Sequence, residues 1–254
     1  GLEKYGLVQY NLNTNRYHLH QQIKNFIKPL LTPGDRNMTQ RRIATEFMNV
    51  LENAYLHVEK GGKEAIKGFR LFDLELENIK AGMEWGRKYC DKDKDAPQIC
   101  SAYTEYGATL ISQRLSPSEC IHWFEAALTS ARQLEDKEAE RTHLLNLGCQ
   151  YALSNQVQEA TNTLQSALSF CKKEGDIEGQ KLALHHLARL GMNGNDHSLT
   201  INYIEESIEL VGNGNEIEEF KLLVQLTKSC IQNQEYNKAV HSGEQAMELI
   251  SLNN

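Results

Sequence analysis

Residues 144–167 read LLNLGCQYALSNQVQEATNTLQSA. Leu144, Leu147, Gly148 and Tyr151 in its first part, and Ala160, Leu164 and Ala167 in its second, are separated by steps of three and four that return to one side of an α-helix. Two antiparallel helices approach to about 8–10 Å only where one offers a small residue beneath the other's bulk. Gly148 and Ala167 supply that room. A lone pair leaves an apolar face open, so such units must stack to bury it. The chain repeats itself accordingly: Tyr106-Gly107, Leu147-Gly148, Leu187-Ala188 and Leu226-Thr227 recur about every forty residues.

Four units follow, near residues 100–137, 141–178, 181–217 and 220–254. The third keeps Leu184, Leu187, Ala188 and Ile204, with Gly191 in place of the aromatic anchor and Ser207 in place of the last small residue. The fourth keeps Leu223, Leu226, Ala239 and Ala246 and departs at Thr227, Cys230 and Gly243. Pro97 precedes one helix, Ser116-Pro117 opens another with a cap and a first-turn proline, and Gly175-Asp176 breaks a third. Polar, glycine-rich runs at 193–196 and 212–215 separate further helices. With only 4 prolines in 254 residues and good helix formers at most positions, the expected class is all-α.

These units resemble the tetratricopeptide repeat (TPR), best in residues 144–167, although they are longer than that family's period of about 34 residues. The resemblance implies a right-handed superhelical solenoid of antiparallel helix pairs, whose first helices line a concave face that binds a protein or peptide. Carried over, the family's contact offsets nominate Thr104, Asn146, Cys149, His185, His186, Arg189, Lys221, Gln225 and Lys228. The later members are basic in a chain of net charge -7, so an acidic or carboxylate-bearing peptide is the expected ligand. The two-carboxylate clamp of chaperone-binding members is not met. Thr104 and Ala108 stand where its Lys and Asn belong, and only Asn146 matches.

The acidic balance argues against nucleic acid, whose recognition rests on clustered Lys and Arg. No run reaches the roughly 18 apolar residues that span a bilayer, and no basic-then-apolar leader opens the chain, so no membrane and a cytoplasmic place are expected. Cys90, Cys100, Cys120, Cys149, Cys171 and Cys230 form no CxxC pair and read as packed, free thiols. Adjacent helical histidines point about 100° apart, so His185-His186 with His143 reads as groove or surface rather than metal site. The run 135–140 reads as a solvated linker and helix start, and Trp85 and Trp123 as core. With no GxSxG elbow, no GxxxxGK[ST] loop and no acidic strand end for Mg²⁺, no catalytic site, metal or cofactor is expected in this chain.

The first hundred residues differ. Residues 7–10 and 16–19 flank the turn-forming run 11–15 and read as a short β-hairpin. An amphipathic helix over 21–31 puts Ile23, Phe26, Ile27 and Leu30 on one face, and Pro33-Gly34 is expected to stop it. A helix pair, roughly 39–60 and 71–90, breaks at Gly61-Gly62 and carries Glu75-Leu76-Glu77-Asn78-Ile79 and Trp85. A hairpin ending Tyr17-His18-Leu19-His20, a helix, a Gly-Gly break, this Glu-x-Glu-Asn-Ile segment and a Trp, all ahead of helical repeats, resemble the region after the ATPase core in STAND-class signal-transduction ATPases. The subset meant has an NB-ARC module followed by TPRs.

That resemblance spans essentially the whole chain. It implies that residues 1–35 are the remnant of a winged-helix domain, 36–97 a linking helix pair or degenerate repeat, and 98–254 the four repeats. Leu19-His20-Gln21 falls on the family's Met-His-Asp motif, whose His reaches the nucleotide diphosphate in the closed state. His20 thereby inherits nucleotide sensing in a full-length protein, where an upstream nucleotide-binding domain would hold ATP or ADP and Mg²⁺. Gln21 stands where the family has Asp, which puts the strength of that latch in question. Without the resemblance, His18 and His20 read as residues on one side of a hairpin. The chain opens at Gly1 rather than Met, so a piece of a longer polypeptide is expected. Two function classes follow: the sensor arm of a larger ATPase switch, or a stand-alone scaffold that binds peptide segments. A P-loop encoded ahead of Gly1 distinguishes them.

Overall fold

The computed structural model describes residues 5–12, 16–211 and 215–252. Its elements run β1 (Val8–Asn11), β2 (Arg16–Leu19), α1 (Gln21–Ile27), α2 (Pro33–Glu59), α3 (Gly62–Tyr89), α4 (Ala96–Arg114), α5 (Pro117–Gln133), α6 (Lys137–Leu153), α7 (Val157–Glu174), α8 (Ile177–Asn193), α9 (His197–Val211), α10 (Glu216–Gln232) and α11 (Tyr236–Leu252). The fold is an all-α, TPR-like array of adjacent helix pairs with a two-stranded hairpin at its start. It divides into two compact units, residues 1–113 and 114–254, so the division falls between α4 and α5, inside the repeat expected near 100–137.

In the first unit β1 and β2 pair antiparallel with Val8 opposite Leu19 and Tyr10 opposite Tyr17. Part of the expected 11–15 turn, residues 13–15, lies outside the described residues, as does residues 212–214 of the expected 212–215 break and the side chain of His18. Arg16 secures the hairpin to α3: its Nε donates to Glu75 Oε1 at 2.8 Å, and Asn78 Nδ2 donates to Glu75 Oε2 at 2.9 Å. Glu75 is buried, so the guanidinium and the amide offset the cost of removing a carboxylate from water.

Pro33-Gly34 does not stop a helix. It starts one. Thr32 is the N-cap of α2, its hydroxyl accepting from the Asp35 amide at 3.1 Å, and Pro33 sits where a missing N–H costs nothing. The amphipathic segment before it ends earlier, as a short 3₁₀ turn over Lys28–Leu30. The pair then runs 33–59 and 62–89, each helix starting earlier than its periodicity suggests. Gly61, at φ 69, makes the turn. The backbones touch at Gly68, where a Cβ would lie 2.4 Å from the Ala54 carbonyl oxygen. Tyr103 of α4 lies against Gly82 and donates its hydroxyl to the Ala44 carbonyl at 2.8 Å, tying α4 to both helices. Trp85 is buried, and its Nε1 donates to Asn37 Oδ1 at 2.8 Å.

In the second unit one turn recurs. Each helix from α5 to α8, and α10, ends with a left-handed residue: Glu135, Asn155, Gly175, Asn195 and Gln234, at φ 56, 59, 71, 57 and 63. The next amide reaches back to a carbonyl five residues earlier, as in Asp136 N to Ala131 O at 3.0 Å and Asp176 N to Cys171 O at 2.9 Å. This bond satisfies helix-end carbonyls that would otherwise lack partners. Asp136, Asp176 and Asp196 then cap the following helices through Ala139, Gly179 and Leu199 amides. Leu164 fills the space above Gly148, and Leu147, Leu187 and Leu226 are buried at equivalent positions. Trp123 is buried with them, as are the thiols of Cys120, Cys171 and Cys230.

Candidate peptide-binding face

The first helices α6, α8 and α10 of the second unit carry all but one of the nominated residues. The repeat spacing makes residue 146 equivalent to 186 and 225, residue 149 to 189 and 228, and residue 142 to 182 and 221. Helix α6 packs against α8. Between them opens a concavity of about 540 Å³, walled by Arg141, Leu145 and Asn146 from α6 and by Lys181, Leu182 and His185 from α8, with Glu218 of α10 at its edge. The structure therefore brings Asn146 and His185 together. It adds Arg141, Lys181 and Glu218, which the sequence reading did not nominate.

Those two added cations are already committed. Arg141 Nη1 lies 2.8 Å from Asp176 Oδ2, and Lys181 Nζ lies 3.2 Å from Glu178 Oε1 and 3.7 Å from Glu218 Oε2. The Asp176 carboxyl is held below its usual range, first by the Gly179 amide it accepts from and further by Arg141. Carboxylates outnumber cations at this end of the face, since Glu138 also lies beside Arg141.

Further along, Arg189 Nη2 donates to His186 Nδ1 at 3.1 Å. A guanidinium has only donors, so His186 accepts through an unprotonated nitrogen. Burial pushes His186 down to about 4, and the neighbouring Arg189 and His185 push the same way. Cys149 is half-buried and pushed up to about 11 by burial, against a smaller opposing pull from Arg189. It is a packed thiol, not a nucleophile. On α10, Lys221 and Lys228 are exposed and Gln225 is half-buried. Neither lysine has an ion-pair partner among the described residues.

Thr104 does not join this face. It is fully buried in the first unit, its hydroxyl donating to the Ser101 carbonyl at 3.0 Å, within a run, 99–104, that is buried throughout. Its equivalent on α6, Leu145, is buried too, whereas the equivalents His185 on α8 and Val224 on α10 are exposed. His143 is also buried, while Asn146 is half-buried and His185 is exposed. His20 is exposed between β2 and α1, where its Nδ1 accepts from the Gln22 amide at 3.3 Å, and Gln21 donates to Asn25 Oδ1 at 3.0 Å. No helix among the described residues is long and apolar enough to cross a membrane.

No family model and no curated protein matches the sequence. Among solved structures the chain is similar to BtubC from P. vanneervenii, 12% identical, with TM-score 0.55 over 84% of this chain and 91% of that one. It is similar also to a protein assigned as a kinesin light chain, with nearly identical TPR-like repeats, from Podosopora anserina: 13% identical, TM-score 0.51, covering 86% and 96%. At such identities the likeness is one of fold. A STAND protein with a tetratricopeptide repeat sensor from Pyrococcus horikoshii aligns over 98% of this chain and 45% of that one at 17% identity, but its TM-score of 0.34 is too low to carry an argument.

Proposed function

We propose that the chain is a non-catalytic, protein-binding repeat region whose ligand is an acidic peptide segment lying on α6, α8 and α10. One observation carries this reading. Arg141 and Lys181 are matched by carboxylates, whereas Arg189 of α8 and Lys221 and Lys228 of α10 have none among the described residues. Unmatched cations in an acidic protein attract carboxylates and repel the protein's own kind. The test is fluorescence anisotropy of a panel of labelled acidic peptides against the parent chain and a variant carrying Arg189→Ala, Lys221→Ala and Lys228→Ala. Exposed pairs contribute about 0.2–1 kcal/mol each, so a loss of roughly tenfold is expected, shrinking as salt rises. Equal affinity of both proteins for the panel removes the reading.

We further propose that this region is the sensor arm of a larger, cytoplasmic STAND-type switch, in which ligand on the repeats biases an upstream nucleotide-binding domain. The linear pattern from Tyr17 to Trp85 supports it, and so do the Arg16–Glu75–Asn78 contacts, which join the hairpin to the Glu-x-Glu-Asn-Ile segment of that pattern. His20, exposed at the start of α1, would face the nucleotide of that domain. A polypeptide encoded without a P-loop ahead of Gly1 would leave the stand-alone scaffold as the reading. The acidic-ligand proposal is unaffected by that outcome.

A further inference from the structure

One position recurs on each second helix of the repeats. It holds Trp123 on α5, Thr163 on α7, Tyr203 on α9 and Ser242 on α11, at steps of about forty residues. Trp123, Tyr203 and Ser242 are buried, and Thr163 is half-buried. Helix α9 shows what an aromatic ring does there. The Tyr203 hydroxyl accepts from Gln165 Nε2 of α7 at 3.0 Å, and Glu206 pairs with Lys172 of α7, so two polar contacts join α7 to α9. One repeat earlier, Glu125 and Arg132 of α5 stand in the places of Gln165 and Lys172. Helix α7 sends nothing to them. Thr163 and Ser166 are where Tyr203 and Glu206 would be, and the Ser166 hydroxyl donates to the Asn162 carbonyl of its own helix at 2.8 Å. Glu125 and Arg132 turn to α6 instead, with Tyr151 donating to Glu125 Oε1 at 2.6 Å and Arg132 Nε to Glu140 Oε1 at 2.9 Å. Among the described residues no side-chain hydrogen bond or ion pair crosses from α5 to α7. A cleft of about 410 Å³ opens there, lined by Glu125, Tyr151 and Thr163 and by the buried Leu128, Leu144 and Leu147.

We propose that the cleft between α5 and α7 binds a tyrosine side chain of a partner protein. The ring does there what Tyr203 does one repeat on, and it packs on Leu128, Leu144 and Leu147. Its hydroxyl donates to Glu125. A carboxylate accepts about four hydrogen bonds and Tyr151 supplies one, so a second phenol finds an acceptor. Gln165 can give a proton to the oxygen of Tyr203, whereas Glu125 only accepts, so the group it meets must donate. A phenylalanine ring offers no donor, and a phosphotyrosine sets its charge against the carboxylate. Glutamate at this place therefore selects unmodified tyrosine. The rim residues Glu125, Thr129, Arg132, Asn162 and Ser166 are exposed, so a polypeptide that brings the ring also meets the rim, which a small phenol would leave in water. Leu144, Leu147 and Tyr151 fall on the opposite side of α6 from Thr142, Leu145 and Asn146, so this site is separate from the acidic-peptide face and does not depend on it.

The probes are a capped glycine-serine-tyrosine-serine-glycine peptide, its phenylalanine and phosphotyrosine counterparts, and p-cresol. Each is titrated into methyl-labelled protein, and the signals of Leu128, Leu144 and Leu147 are followed by NMR. The tyrosine peptide should shift these signals and leave that of Leu182, on the other face, in place. It should bind about tenfold more tightly than the phenylalanine peptide, which lacks the hydrogen bond to a charged group, and the phosphotyrosine peptide should not bind. Glu125→Gln should narrow the gap between tyrosine and phosphotyrosine. Two variants close the cleft from within: Thr163→Tyr supplies the ring, and Ser166→Glu gives Arg132 the partner that Lys172 has. Each should abolish binding with an unchanged far-UV circular dichroism spectrum, and Thr163→Tyr should also raise the melting temperature. Ser166 is exposed, so Ser166→Glu carries the test if Thr163→Tyr does not fold. The inference is overturned if the tyrosine peptide leaves the three leucine signals unmoved, if the phenylalanine peptide binds as tightly, or if Ser166→Glu binds the tyrosine peptide as the parent does. Binding of p-cresol as tight as that of the peptide would overturn the partner protein as the source and make a small phenol the ligand.

Discussion

One added methyl group at Gly148 should destabilise the protein or stabilise it according to what stands at position 164. A Cβ at Gly148 would lie 2.6 Å from Leu164 Cγ and 2.7 Å from its Cδ2, well inside van der Waals contact. Leu164 is fully buried in a close-packed interior, where a displaced side chain meets other atoms. Overpacking of this kind costs about 1–3 kcal/mol, and replacing a mid-helix glycine by alanine returns about 1 kcal/mol, so Gly148→Ala should lose about 0–2 kcal/mol net. Leu164→Ala alone should lose about 2–5 kcal/mol to lost contacts and a cavity. In that background the two crowded atoms are gone and the new methyl enters the void. Gly148→Ala should then recover about 1 kcal/mol.

Urea unfolding of the four proteins, followed by far-UV circular dichroism and compared at equal m-values, closes the cycle. Because repeat arrays can unfold in parts, amide exchange on α6 and α7 provides a local reading of the same difference. Gly34 is the control. It is exposed near the start of α2, and the nearest atom to its would-be Cβ, Thr32 Oγ1, is 3.9 Å away, so Gly34→Ala should not destabilise. If Gly148→Ala shifts stability with the same sign in both backgrounds, the nesting of α6 against α7 through this contact is refuted.

The remaining predictions concern protonation, capping and the hairpin. Burial holds His143 and His186 at about 4, against an ordinary value of 6.5, so the unfolded chain takes up their protons first. Stability from these two groups is therefore complete above pH 6.5 and lost progressively toward pH 4, and His143→Gln should flatten the fall in urea midpoint across that window; an unchanged slope would contradict it. Ser116→Ala removes a capping box in which Ser116 Oγ accepts from the Glu119 amide at 3.4 Å and the Ser116 amide donates to Glu119 Oε2 at 3.1 Å, and it should cost about 1 kcal/mol in thermal or urea melts. Arg16→Ala leaves buried Glu75 with Asn78 as its remaining described side-chain partner, and should speed amide exchange over 8–11 and 16–19 while leaving α6 to α11 unchanged, which hydrogen-exchange mass spectrometry can localise.

The nesting of helices was legible because it depends on residues three and four apart in one helix meeting a similar set close by in sequence, as Gly148 meets Leu164. The turns were legible only in part. A search for glycine finds Gly175, but Glu135, Asn155, Asn195 and Gln234 hold the same left-handed conformation at a cost in backbone strain that the turn's hydrogen bond and the following cap offset. Their signal is positional: a polar residue at the left-handed position shortly before the next helix. Pro33-Gly34 was misread because proline is both a helix stop and a first-turn residue. What decides between them is the residue before it, and Thr32 is a good cap. Thr104 failed for a different reason. Its offset is exposed on α8 and α10, at His185 and Val224, but buried on α6 at Leu145, and α4 is buried all round over 99–104.

The electrostatic character of the face was the least legible part, because a cation's effect depends on partners a whole repeat away. Arg141 meets Asp176, Lys181 meets Glu218, Lys172 meets Glu206 and Lys238 meets Glu205 at 2.6 Å, each pairing joining one helix to a neighbour in the stack. Counting basic residues along first helices therefore overstates the potential where the next helix brings a carboxylate, and is accurate only where none arrives. Lys221 and Lys228 lie on α10, and neither has an ion-pair partner among the described residues. Ile217, Val224 and Ile231 of the same helix are exposed. Cationic and apolar character thus coincide on one helix, and a ligand that answers only one of them should bind more weakly than a ligand that answers both.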